Sequence, residues 1–327
     1  MSSLDRADAS LLLPPIVAAL ITTIVFAGIY LAAFHAAVPH SMPVGVVGQT
    51  SAVESVDHAL SLGAPGAFRV RSYPDRAAAS HAISRRSIYG AYLTGSRRPR
   101  LLYAGANGSG VTATLTQAFG AIARRSGRAL GSTDVVPLAP GDSHGLSTFY
   151  IVFGVVLGGF LFGQTLPALK RRPRVPLVVA ATLVFGLLAG LGVALLGGSP
   201  GFGAIPAPFG GALALGGLLA CSVAVTTTVL VRFLRQAGQL VAAVLLVTLG
   251  GASSGAVLPS VYLPGWLHPL ASALPPGVAV RALQGMSYFH NDGLTAGVII
   301  LCAWIVASSF ILLGVDWRSR VKAVPSA

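Results

Sequence analysis

The chain has 327 residues, of which 54% are hydrophobic and only 9% are charged, and its mean hydropathy is +0.77. Because soluble domains carry about 25% charged residues, this composition excludes an ordinary soluble protein and indicates an integral membrane protein. The formal charge of +13 does not indicate nucleic-acid binding, because the arginines form no compact basic module.

The first predicted element is an uncleaved transmembrane helix in the apolar run 11–38. About 20 apolar residues suffice to cross the hydrocarbon core. The run is longer than the apolar region of a signal peptide, and no strongly basic segment precedes it. Alanines near residues 32–37 keep a cleaved signal peptide open as the alternative. We therefore expect residues 1–38 to form a cytoplasmic N-terminus and transmembrane helix 1.

Residues 39–146 have shorter apolar runs and predict a small extracytoplasmic α/β domain between transmembrane helices 1 and 2. The order β-α-β-α-β-β-α-β is typical of one domain with a sheet core. Asn107 or Ser109 is expected to cap the last helix. The predicted strands are 43–48, 67–73, 88–94, 101–104 and 133–138, and the predicted helices are 50–62, 75–86 and one from the cap to residue 125.

The glycine-rich stretch 105–110 (GANGSG) has two interpretations, because it follows a strand and precedes a helix. Such a loop is able to hold a phosphate. It lacks the lysine of a P-loop and the spacing of a dinucleotide-binding loop. We favour a tight turn followed by a helix cap.

Residues 147–327 predict five further transmembrane helices, which makes six in an α-helical polytopic protein. Lys170, Arg171, Arg172 and Arg174 lie between the second and third spans, and basic residues in short loops stay on the cytoplasmic side. Because the chain has six predicted spans, a cytoplasmic loop between the second and third spans places both termini in the cytoplasm. The same four side chains are candidates for contact with a cytoplasmic partner or with anionic lipid, although topology alone accounts for them. The apolar runs are 147–169, 175–198, 208–231, 237–258 and 295–315.

The segment 257–294 is too interrupted by proline to cross the membrane, yet too apolar for a solvated loop. It predicts two short helices that enter the outer leaflet and return, with Trp266 at the interface. Trp266, His268 and Arg281 are our candidates for an outer gate, and Arg281 is expected to reach the head groups. The alternative is a structured outer loop with no role in transport.

Two pairs of glycines in the predicted spans have GxxxG spacing, Gly154/Gly158 and Gly186/Gly190. Such pairs allow close helix approach, either within one chain or at a dimer face. The spans carry no charged residue between their ends. This pattern disfavours a proton- or ion-driven transporter, because a relay needs titratable groups at depth.

Four stretches carry a resemblance to a known family. They are PVGVVG at 43–48, RAAASHAISRRSIYGAYLTG at 76–95, residues 134–159 at the return into the second span, and LPGWLHPLASALPPGVAVRALQGM at 263–286. In this order and with this topology, the chain resembles the ABC-2 type transporter permeases. Within them it looks most like the branch with a large extracytoplasmic domain, which includes the YhgE/Pip-like proteins.

The resemblance implies a homo- or heterodimeric subunit of an ATP-driven exporter in a bacterial plasma membrane. A separate cytoplasmic ATP-binding-cassette ATPase would drive it, and lipids would surround it. The chain has no GxxxxGK[ST] motif, so we expect no enzymatic activity, cofactor or metal. An uncharged pathway favours a hydrophobic or amphipathic substrate. Unlike many members, the chain has only about ten residues before the first span and only KRRPR between spans two and three.

Two alternatives to export stay open. One is a non-transporting envelope scaffold or receptor built on the same membrane fold. The other is an intramembrane enzyme that uses Ser253 or Ser254 as nucleophile with His268 or His290 as base, but no acidic partner accompanies them.

Overall fold

The computed structural model describes residues 3–35, 37–95, 98–169 and 173–321. Within these ranges, six helices are long and apolar enough to cross a membrane, as the sequence predicts. The first is α1 (Ser3–Phe34), whose apolar part is Ile16–Phe34. It lies at the edge of the bundle, and its exposed apolar side chains are those expected of a helix surrounded by lipid.

A mixed sheet lies in the N-terminal half of the chain. Its described strands have the order β2-β1-β3-β4-β5, with β3 and β4 antiparallel and the other neighbours parallel. The last strand begins two residues earlier than predicted and is shorter. The elements are β1 (Met42–Val47), α2 (Thr50–Gly63), β2 (Phe68–Tyr73), α3 (Arg76–Ser84), β3 (Gly90–Leu93), β4 (Arg100–Tyr103), a 3₁₀ turn (Gly105–Asn107), α4 (Ser109–Arg125) and β5 (Gly131–Asp134).

Large apolar side chains fill both faces of this sheet, and successive strand residues point to opposite faces. Leu101 packs with α2 and α4, whereas Leu102 packs with α3, and both are fully buried. Phe119 of α4 is also fully buried and stacks on Tyr92 with ring centroids 5.2 Å apart. The core of the sheet region is therefore a conventional aliphatic and aromatic one.

The predicted cap of α4 is wrong. Neither Asn107 nor Ser109 caps the helix, because Asn107 belongs to the 3₁₀ turn and the N-cap residue is Gly108, at φ +93°. The backbone N–H of Gly105 donates to Asp134 Oδ1 at 2.9 Å. A carboxylate at this position repels a phosphate, so the geometry favours a structural turn in the glycine-rich stretch.

The second half of the chain is helical, and its fifth apolar helix is irregular. That helix, Gln236–Ser253, contains a π-helical stretch in its middle. The elements are α5 (Ser147–Ala168), α6 (Val175–Gly197), α7 (Phe209–Leu234), α8 (Gln236–Ala242), the π stretch (Ala243–Leu249), α9 (Gly250–Ser253), a 3₁₀ turn (Ser260–Tyr262), α10 (His268–Ala273), α11 (Pro275–Tyr288) and α12 (Leu294–Val321).

The bundle is organised around α7, which packs against α5, α6, α11 and α12. Gly186 and Gly190 of α6 face α7, where a Cβ on Gly190 would overlap the Leu213 carbonyl. Their GxxxG spacing therefore serves packing within the chain. A Cβ on Gly154 would meet nothing within 4 Å, so the other glycine pair leaves an open groove.

The structure gathers the loops at two ends of the bundle, as the predicted topology requires. At one end, Tyr288 Oη accepts from the Ala139 N–H (3.3 Å) and lies 3.5 Å from the Ala204 carbonyl, to which it donates. This end therefore joins the exit from the sheet region, the α6–α7 loop and the end of α11. Pro173 and Arg235 line a cavity of about 220 Å³ at the other end.

Candidate functional site

The candidate site is a cavity of about 600 Å³ where the sheet region meets the proline-rich segment before α12. Its walls come from the loop after α3, the loop after α9, and helices α10, α11 and α12. The side chains on which the argument depends are Arg86, Tyr89, Ser254, His268, Val278, Arg281, Gln284, Ala296 and Ile300.

Helix α11 is buried in the bundle, whereas α10 packs against the bundle surface and has no buried residue. The indole N–H of Trp304 donates to the Ala273 carbonyl at the end of α10 (2.9 Å). Trp304 lies ten residues after the start of α12, which corresponds to about 15 Å of helix. The 14 residues of α11 span only about 21 Å, less than the roughly 30 Å of a bilayer core. Two short helices are therefore present, as the sequence predicts.

Hydrogen bonds join the sheet region to this returning segment. Tyr262 Oη donates to Thr114 Oγ1 on α4 (2.9 Å), and the His40 N–H donates to the Val261 carbonyl (2.7 Å). Leu258 packs against Gly110, where a Cβ would crowd its side chain. The sheet region is thus held directly over the cavity.

Arg86 is the most unusual residue of the cavity. It has a left-handed backbone with φ +58°, uncommon for a residue with a side chain. Its Nη2 donates to Gln284 Oε1 (2.6 Å), and its guanidinium lies 4.8 Å from the centre of the Phe289 ring. Burial lowers the pKa of Arg86 from its ordinary value, whereas Tyr89 and Asp292 raise it and Arg281 lowers it.

Arg281 is held by an ion pair at the rim. Its Nε and Nη2 donate to the two carboxylate oxygens of Asp292, both at 3.2 Å. The turn that carries Asp292 contains His290 and Asn291 in left-handed conformations. Gly293 lies against the Arg281 side chain, where a Cβ would crowd it. The turn between α11 and α12 is therefore shaped to bring Asp292 to Arg281.

The predicted gate residues are only partly brought together. His268 and Arg281 line the cavity, whereas Trp266 does not line it and is 54% exposed. Arg174 lies at the start of α6, near the other end of the bundle. Lys170, Arg171 and Arg172 lie outside the described residues.

The structure also locates the serine and histidine residues of the intramembrane-enzyme alternative. Ser254 and His268 line the same cavity, but the Ser254 hydroxyl donates to the Gly251 carbonyl (2.7 Å), and Ser253 donates to Leu249 (2.7 Å). These bonds are those of hydroxyls satisfied by their own helix. In the described part of the chain, no group of His, Cys, Asp and Glu side chains is arranged to hold a metal.

Three important cavity residues are missed by the sequence reasoning: Arg86, Tyr89 and Gln284. Arg86 and Gln284 are 198 positions apart, so no local pattern links them. Burial raises the pKa of the Tyr89 phenol, which keeps it neutral. The one available signal is the i, i+3 spacing of Arg281 and Gln284, which places both on one face of α11.

Comparison of the chain with protein-family models, with curated proteins and with solved structures gives no match. The fold and the cavity are therefore the observations on which a function is argued. The six apolar helices of the described ranges are compatible with a multi-pass membrane protein.

Proposed function

We propose that this chain is the membrane-spanning permease subunit of an ATP-driven exporter of the ABC-2 type. The observation that carries the proposal is the pair α10–α11, two short helices that line the cavity and reach as far along α12 as Trp304. Non-helical backbone at membrane depth is tolerated where it is buried in protein or lines a cavity. Such a segment is more than an anchor requires, and its position suits a pathway between the bundle and the outer surface.

In this proposal the end of the bundle that carries the sheet is extracytoplasmic, and the end that carries Arg174, Arg232 and Arg235 is cytoplasmic. The positive-inside rule supports this orientation, as does the gathering of the predicted outer segments at one end. The sheet region is then a small extracytoplasmic α/β domain held over the outer mouth.

The energy for export would come from a separate subunit. The described part of each span lacks a charged side chain between its ends, so these spans offer no charged group for a proton relay at depth. A cytoplasmic ATPase is the complementary source. Short loops limit its docking surface to the end formed by the loop around Arg174 and the turn at Arg235.

A dimer is part of the proposal, and the open groove between α5 and α6 supports it. The groove has a volume of about 630 Å³, and Gly154 and Gly158 lie on its wall. Small residues allow a second helix to approach closely. Lipid chains would fill the groove in a monomer.

The direct test is gentle purification of the tagged chain from its native membrane, followed by partner identification and an ATPase assay. We expect an ATP-binding-cassette subunit to co-purify with vanadate-sensitive turnover. A homo-oligomer without ATPase, from membranes that are fully extracted, would contradict the exporter and favour the envelope scaffold or receptor.

The gate is tested by Trp266→Ala combined with Arg281→Gln. We expect slower efflux of a fluorescent amphiphile from cells at unchanged membrane abundance, because both residues border the outer mouth in this proposal. Phe310→Ala, at an exposed position (69%) on α12, is the matched control. Normal efflux in the double variant would remove the gate.

A further inference from the structure

The cavity beneath the sheet region has a net positive charge, because Arg86 and Arg281 share one nearby carboxylate, Asp292. Arg281 is paired with Asp292. In the part of the chain that the structure describes, no carboxylate lies within ion-pair distance of Arg86. Its described partners are the neutral Gln284 and the Phe289 ring. A partly buried charge without a counter-charge is costly, and an anion in the cavity would remove that cost.

The polar and apolar walls of the cavity lie at different levels. Gln284 lies in the second half of α11, next to Arg86, whereas Arg281 lies one turn earlier, and Gly277 and Val278 are near the start of the helix. The deeper wall is completed by small and aliphatic residues of the neighbouring helices. These residues are Ala271 of α10 and Ile300 of α12, whereas Ala296 and Gly297 line the cavity nearer to Arg281. The cavity thus has its cationic group next to the sheet region and an aliphatic patch further in, and the side chains of Ser254, His268 and Ser272 also line it.

We propose that this cavity binds the anionic head group of an amphiphile. Arg86 is the charge partner of the head group, and the start of the tail lies between α10, α11 and α12. The shared chemistry is an oxyanion on an aliphatic chain, either a carboxylate or a phosphate. Arginine suits both, because its planar donors match the oxygens of either group.

The inference rests on the proposed function, since it names the class of the amphipathic cargo, but its test does not use the ATPase. The full chain is placed in nanodiscs of phosphatidylcholine, and equilibrium binding of labelled probes is measured. The probes are palmitate, hexadecyl phosphate, hexadecanol and inorganic phosphate. We expect the first two to bind saturably. Hexadecanol, without the charge, and inorganic phosphate, without the tail, should each bind at least about tenfold more weakly.

The variant Arg86→Asn tests the charge partner, because asparagine tolerates the left-handed backbone at this position. We expect about a tenfold or larger loss of palmitate affinity. Arg85→Asn removes the same charge from the exposed neighbouring residue and should change the affinity less than about twofold. Arg86→Lys should recover part of the affinity.

Occupation of the cavity is tested by Ala296→Trp, which adds bulk at a cavity-lining position, with Ala303→Trp as its control. Ala303 is exposed on the same helix two turns further on and does not line the cavity. We expect a loss of palmitate affinity only in the first variant. This test also stands if Arg86→Asn fails to fold.

Equal binding of hexadecanol, equal binding of inorganic phosphate, or unchanged affinity in both Arg86→Asn and Ala296→Trp would overturn the inference. If the chain binds the anionic probes selectively but has no ATPase partner, the exporter proposal is refuted and the binding-site proposal stands. If an ATPase partner is found but the anionic probes do not bind selectively, the binding-site proposal is refuted and the exporter proposal stands.

Discussion

The sheet region and the helix bundle are held together by different means. The sheet region buries large side chains, such as Leu101 and Phe119, that are fully enclosed. At the contact between α6 and α7, the bundle instead brings backbones together at Gly186 and Gly190. Hydroxyls bridge the bundle as well, with Thr226 Oγ1 and Ser308 Oγ 3.0 Å apart.

The difference follows from the two solvents. In water, burial of apolar surface stabilises a core in proportion to its area. Within a bilayer, lipid tails are as apolar as leucine, so helices associate through close packing and hydrogen bonds. In its most apolar stretch, 78% of the residues of α7 are buried, against 6% for α1. Central and peripheral helices thus have similar compositions but different neighbours.

The largest loss of folding stability is expected from Phe119→Ala in the sheet region. The substitution removes a fully buried ring that stacks on Tyr92, and such cavities cost about 3–5 kcal/mol. Chemical denaturation monitored by the sheet signal of circular dichroism measures the loss. Leu62→Ala, at a side chain that is 67% exposed, is the control and should be nearly silent. Equal effects would mean that this core does not stabilise the region.

A somewhat smaller effect is expected from Gly190→Leu in the bundle. The new side chain would overlap the Leu213 carbonyl on α7, and overpacking costs about 1–3 kcal/mol. The thermal midpoint in detergent should fall. Gly192 lies two residues further along α6, where a Cβ would meet nothing within 4 Å. The control variant Gly192→Leu should therefore leave the thermal midpoint unchanged. A similar fall for both variants would argue against the close approach of α6 and α7.

The smallest effect is expected at the junction of the two regions, from Tyr262→Phe. Loss of the hydrogen bond from Tyr262 Oη to Thr114 Oγ1 costs about 1 kcal/mol. We expect faster amide hydrogen exchange in α4 and in the turn around Tyr262, with the bundle unchanged. Tyr150→Phe on α5 is the control. Unchanged exchange in both segments would contradict the docking contact.

The sequence predicts the helices well because each apolar run is long enough to cross a membrane by itself. It predicts the strands because alternation and short apolar runs are local signals. The cap of α4 is missed because a left-handed Gly108 replaces a side-chain cap. His268 and Arg281 of the cavity are named from the sequence, but Arg86 and Gln284 are missed because they meet only through the fold. The side of the membrane on which each end lies stays a prediction.

The proposed gate, the proposed binding cavity and the proposed exporter all depend on that orientation. Cysteine labelling in intact cells tests it most directly. In a variant without the native cysteines, single cysteines replace Leu62, Thr295 and Gln236, which lie in the sheet region, at the start of α12 and in the α7–α8 turn. We predict that an impermeant thiol reagent labels the first two in intact cells and the third only after permeabilisation. Labelling of Gln236→Cys in intact cells, with Leu62→Cys protected, would contradict the account.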